Sequence, residues 1–106
     1  MRNAPDRNRF EVYVGDELAG FAEYVDTNDQ RIFFHTEIGD DFAGRGLAST
    51  LIKFALTETR SAGKRIVPVC PFVAGYLKKH DDFADITDDV TPAASRTVEE
   101  FKAGRG

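Results

Sequence analysis

Three groups of residues in this chain have types and spacings that could do chemistry. Cys70 stands directly before Pro71 in "IVPVCPFVAGYLKKH". If Pro71 is the first residue of a helix, Cys70 falls at the N-cap. Nearby backbone N–H groups there stabilise a thiolate and lower its pKa from about 8.5 toward neutrality. The competing reading is a buried, inert thiol, the commonest fate of a lone cysteine. His35 and Glu37 form the second group, in "RIFFHTEI". On a strand, alternation puts Phe33, His35 and Glu37 on one face, with His35 and Glu37 about 7 Å apart. Either could accept a proton, or the pair could act together; equally, His35 could be structural and Glu37 a turn partner. Glu23 on the preceding strand is a weaker base candidate. The third group is Gly44-x-Gly46, at the head of "GRGLASTLIKFAL". A helix N-terminus has unpaired N–H groups and partial positive charge, and glycines remove the bulk that would keep a phosphate away. Packing alone could also explain two glycines.

The elements that must position these residues are legible from periodicity. "RFEVYV" puts Phe10, Val12 and Val14 at period two, and "ELAGFAEYV" and "RIFFHTEI" read as further strands. Gly15-Asp16 and "DTNDQ" are short turns between them, which implies an antiparallel meander. From Leu47 the apolar residues are spaced three to four, through Leu51, Ile52, Ala55 and Leu56. This predicts a helix over about 46–61, stopped by Gly63. "KRIVPVC" reads as a buried strand and "PFVAGYLKKH" as a second, shorter helix. The order is β-β-β-α-β-α, an α+β chain with a mixed sheet and helices packed on it.

The ends read more weakly. Residues 1–8 look like a loose, flexible lead, and residues 9–86 form the domain. Beyond it, 87–106 is either a weak helix or disordered, with Thr91 as N-cap, Ala94, Val98 and Phe101 on its narrow apolar face, and Gly104 after its end. Phe83 and Ile86 are expected to plug the core just before it.

Composition narrows the class. The chain has 106 residues, formal net charge −4 and one cysteine. One domain of this length can bury a modest core without staples. A single cysteine excludes an internal disulfide, no Cys/His spacing suits a metal, and the compartment reads as reducing and cytoplasmic. "MRNAPDRNRF" carries no secretory signal, and no apolar run spans a bilayer. With basic clusters only at Arg7/Arg9 and Lys78/Lys79, a dedicated nucleic-acid binder is not expected.

The glycine turn lacks the Gly-Lys-Ser/Thr of a Walker loop, and Ser49 stands where a dinucleotide fingerprint has its third small residue. The combination of "AGFAEY", "FHTEI", "GRGLASTLIKFAL" and "IVPVCPFVAGYL", across residues 10–86, instead resembles the small, stand-alone members of the GNAT superfamily of acetyl-CoA-dependent N-acetyltransferases. The resemblance implies a compact GNAT-like fold with a splayed strand pair. It implies coenzyme A bound by Phe42, Ala43, Gly44, Arg45, Gly46, Leu47 and Ala48, with the pantetheine arm passing Pro68 and Val69. Pro68 fits such a splay, though an edge strand would explain it as well. Cys70 would line the pantetheine end and serve as a candidate acetyl carrier. His35 or Glu37 would take a proton from the acceptor amine, and Tyr76 would protonate the departing thiolate. Asp41 departs from the family pattern, which has Gln or Arg there. A final β-hairpin is missing, which implies an open acceptor side. The partners implied are acetyl-CoA and a primary amine (protein lysine, N-terminus or small amine), with the oligomeric state open. A non-catalytic acyl-CoA-binding or sensing module is the alternative.

Overall fold

The computed structural model describes residues 1–104. Five strands form one sheet in the order β1-β2-β3-β4-β5. They are β1 (Arg2–Ala4), β2 (Arg9–Val14), β3 (Glu17–Asp26), β4 (Gln30–Ile38) and β5 (Arg65–Pro68). The first four run antiparallel, and β5 joins β4 in parallel after a crossover through α1 (Leu47–Ser61). A second helix, α2 (Pro71–Lys79), follows β5, and α3 (Pro92–Gly104) closes the described chain.

The opening residues are not a loose lead. Arg2–Ala4 pair with β2 as the edge strand, Ala4 is buried, and the Tyr24 hydroxyl donates to Asn3 Oδ1 at 2.7 Å. Three residues leave no periodicity to read, and Pro5 opens a short 3-10 turn directly after them.

The core lies mainly between the sheet and the first two helices. The predicted α1 stripe of Leu51, Ile52, Ala55 and Leu56 is fully buried against Phe10, Ala22, Tyr24 and Phe33. Gly63 ends the helix region with φ +73, as its type predicts. Phe83 and Ile86 pack into this same cluster, as the sequence suggests. A smaller cluster on the opposite sheet face joins Ile32 and Val67 to Ala94 and Val98 of α3. Of the two alternatives for residues 87–106, the helix forms as α3, with the Thr91 hydroxyl accepting from the Ala94 N–H at 3.1 Å. Phe101 packs on Phe34 with ring centroids 5.8 Å apart. The last two residues of that segment lie outside the described ones.

One irregularity decides where the candidate base points. Glu23 pairs with His35, but Tyr24 pairs with Phe33. Phe34 is therefore the extra residue of a β-bulge, and alternation slips by one there. Phe33 faces the α1/α2 core, as do Thr36 and Ile38 after the bulge. His35 and Glu37 face the other side, opposite Glu23 and Phe21. The expectation that Phe33, His35 and Glu37 share one face is corrected accordingly.

Candidate active site

The turn before α1 narrows to two glycines at its helix end. Asp40–Phe42 form a 3-10 turn, Gly44 has φ +80, and Gly46 is the N-cap of α1 with φ +71. Both glycines adopt left-handed conformations that other L-residues reach only with strain. No side chain caps the first turn of α1. Its leading N–H groups are thus available as donors for an anion. Asp40 and Asp41 are exposed, and the Arg45 guanidinium lies 5.5 Å from the Phe42 ring centre.

Beside this turn is a depression of about 320 Å³, lined by Ile38, Phe42, Ala43, Gly44, Gly46, Leu47 and Phe72 among others. Through Ala48, Ser49 and Phe72 it continues into a groove of about 370 Å³ between α1 and α2. Tyr76, Lys79 and His80 line that groove. The Tyr76 ring is buried and lies 4.3 Å from the His80 ring. Burial, then the charge of Asp82, pushes the Tyr76 hydroxyl above its ordinary pKa, so it holds its proton at neutral pH.

The sheet opens at the same end. The β4–β5 register stops at Phe33 opposite Pro68, while β4 runs on to Ile38. Pro68 fits the edge-strand reading: β5 is the last strand of the sheet, and its register with β4 ends at Pro68. After Val69, whose N–H turns back to Val67 O at 3.2 Å, the Cys70 N–H makes one last bond to Phe33 O at 2.8 Å. Gly20 brings β3 tightly against the open end of β4. A Cβ there would stand 2.5 Å from both Glu37 O and Ile38 Cδ1.

Cys70 is the N-cap of α2 and Pro71 its first residue, as the sequence predicts. The thiol does not cap the helix; buried, it donates to Thr36 Oγ1 at 3.4 Å. Thr36 is the residue that sequence reasoning missed. Its inward orientation depends on the bulge, and no local pattern marks the bulge.

The predicted residues thus divide between the two faces. Cys70, Tyr76 and the glycine turn stand on the helix side. His35 and Glu37 stand on the other, with His35 Nε2 3.3 Å from Glu37 Oε1 and side chains 48% and 61% exposed. His35 and Thr36 are consecutive, so only the β4 backbone separates the imidazole from the hydroxyl that holds the thiol. Among the described residues no His, Cys, Asp and Glu side chains gather as a metal site.

Comparisons with known proteins bear on the fold and the family. The solution structure of a GCN5-like protein from Staphylococcus aureus superposes with a TM-score of 0.61 at 22% identity, over 80% of this chain and 85% of that one. That likeness concerns the fold. A comparison with curated proteins finds no match. The family model described as GCN5-related N-acetyl-transferase matches residues 9–86, which contain the glycine turn, the parted strands and Cys70. The chain belongs to the GCN5-related N-acetyltransferase family.

Proposed function

We propose that this chain transfers acetyl from acetyl-CoA to a primary amine by direct attack. The observation that carries the reading is the uncapped, glycine-led start of α1, opening into a trough that meets the parted strands. The site fits the coenzyme in kind. Free amides and partial positive charge suit a diphosphate, and an apolar trough suits a long flexible arm. Gly44, Arg45, Gly46, Leu47 and Ala48 would hold the diphosphate, and the exposed Asp40 and Asp41 can turn to water. Pro68, Val69 and the open edge of β4 would line the arm.

The coenzyme supplies an acetyl thioester, whose carbonyl carbon is open to attack. Exchange of its C–S bond for a C–N bond releases one proton from the amine and requires one at sulfur. The His35–Glu37 pair accepts the first, on the face where an amine can approach from water. Tyr76 Oη holds the second in the wall of the groove. Cys70, bonded to Thr36 inside the core, orders the end of the slot rather than carrying acetyl. The lone thiol also fits a cytoplasmic site of action.

Calorimetric titration with acetyl-CoA, followed by mass spectrometry of a panel of amines, tests this. Binding with saturation and a product heavier by one acetyl group are expected. Absence of binding at millimolar coenzyme overturns the reading. Binding without product would make the chain an acyl-CoA-binding module instead.

A further inference from the structure

Among the described residues, the apolar packing of α3 on the face that carries His35 and Glu37 lies over Val25, Ile32, Phe34, Val67 and Val69. The other half of that face bears a different set of side chains, placed by strand register. One row across the sheet runs Arg2, Glu11, Phe21, Glu37, and the next runs Arg9, Glu23, His35. Phe21 stands between the candidate base and the arginines. Its ring centre is 6.1 Å from that of His35, and the Arg9 guanidinium lies 4.6 Å over it.

The arginines are in excess at this edge. Glu11 is wholly buried and is met by Arg9 Nε at 2.7 Å, Arg2 Nε at 3.1 Å and Arg7 Nη1 at 3.5 Å. The Tyr13 hydroxyl also donates to it, at 2.8 Å. One carboxylate cannot neutralise three guanidinium groups. Arg9 makes the shortest of these contacts and its side chain is only 19% exposed, so the accessible surplus lies on Arg2 and Arg7. Their side chains are 61% and 56% exposed. Each guanidinium carries five N–H donors, most of them still free for a carboxylate.

Exposure of the base pair selects the amine. A lysine, with pKa about 10.4, is almost wholly charged at neutral pH unless its pocket excludes water. His35 and Glu37, about half exposed or more, exclude little. An α-amine, with pKa about 7.7–8.0, already offers a useful neutral fraction. Next to Glu37, a depression of about 210 Å³ lined by Leu18, Gly20 and Phe21 can seat a small side chain.

We propose that the acceptor is a peptide amino terminus followed by acidic residues. The α-amine lies at His35–Glu37, the first side chain beside Phe21, and a carboxylate on Arg2 and Arg7. The Arg2 and Arg7 guanidinium groups reach over β2 to Glu11, and from β4 to β2 is two strand spacings, roughly 10 Å, which an extended peptide covers in about three residues. The acidic side chain therefore belongs at the third or fourth position. This rests on the acetyl-transfer reading above.

The test uses two decapeptides that differ only in Glu or Gln at positions 3 and 4, and a third with a blocked terminus and one lysine. The Glu peptide should be acetylated with kcat/KM roughly fivefold above the Gln peptide, the scale of two solvent-exposed charge pairs. That preference should shrink with added salt. Arg7→Gln together with Arg2→Gln should bring the ratio toward one, while Arg9 still holds Glu11. A readout independent of turnover is NMR titration of the coenzyme-free protein with the Glu peptide, which should move the His35 ring and Arg7 side-chain signals. Equal rates for the Glu and Gln peptides, or faster reaction of the lysine peptide, overturn this inference and leave acetyl transfer standing. If coenzyme binds and no amine is acetylated, both fall.

Discussion

Replacing Glu11 by Gln asks how much of the fold rests on one buried carboxylate. Burial alone would push this carboxyl's pKa up. Hydrogen bonds from Tyr13, Arg9 and Arg2 outweigh it and bring the value from 4.5 down to about 2. A depression of that size corresponds to about 3 kcal/mol of folding free energy. Arg2 and Arg7 are largely exposed, so water and salt screen part of it, and about 2 kcal/mol is the working expectation. The sign follows from the direction. A carboxylate held low in the folded state stabilises above its unfolded pKa, and that contribution is lost as pH falls from about 5 toward 2. Glu11→Gln keeps the side chain's volume and opens no cavity. It should cost about 2 kcal/mol at pH 7 and about 1 kcal/mol at pH 3. Urea unfolding of both proteins at the two pH values measures this. Asp85, held low by Arg60, and Asp88, held low by Gln30 and Arg65, titrate in both proteins and cancel in the difference. A difference that stays constant from pH 7 to pH 3 would refute the electrostatic account of Glu11.

Two further substitutions address the site. Gly46→Ala meets no neighbouring atom within 4 Å, so its cost is the left-handed φ alone, about 1 kcal/mol of stability. Coenzyme affinity should fall with it if the turn grips a diphosphate; thermal unfolding and calorimetry read the two effects separately, and unchanged affinity would move the anion elsewhere. Cys70→Ala should retain most of kcat and lose about 1 kcal/mol of stability through the vacated sulfur's space. A fall in kcat of two orders of magnitude, with acetyl found on Cys70 of the parent protein, would replace direct attack by a covalent route.

The parts legible in the sequence are those set by neighbours in the chain. The glycine turn, the α1 stripe, and Cys70 before Pro71 at the head of α2 each follow from spacing or from one residue's backbone preference. The three-strand meander was visible for the same reason. What escaped depends on pairing across the sheet. The bulge at Phe34 exists only in relation to Glu23 and Tyr24 on the facing strand, and it moved His35 and Glu37 away from Phe33. Thr36 beside Cys70 is likewise a meeting between distant elements, and Arg2 reaches Glu11 only through the β1–β2 pairing. β1 is too short to announce itself and is fixed by β2.

The rims of the sheet have a bearing on how the molecule keeps to itself. β1 and β5 are three and four residues long, and a proline closes each of them, Pro5 after the first and Pro68 within the second. Short borders without a full set of donors give another chain little to zip onto, which guards against fibrillar clumping. The exception is the stretch of β4 past Phe33, which borders the trough. If the coenzyme seats along it as proposed, it would cover this unpaired backbone, and loading would then also protect against aggregation.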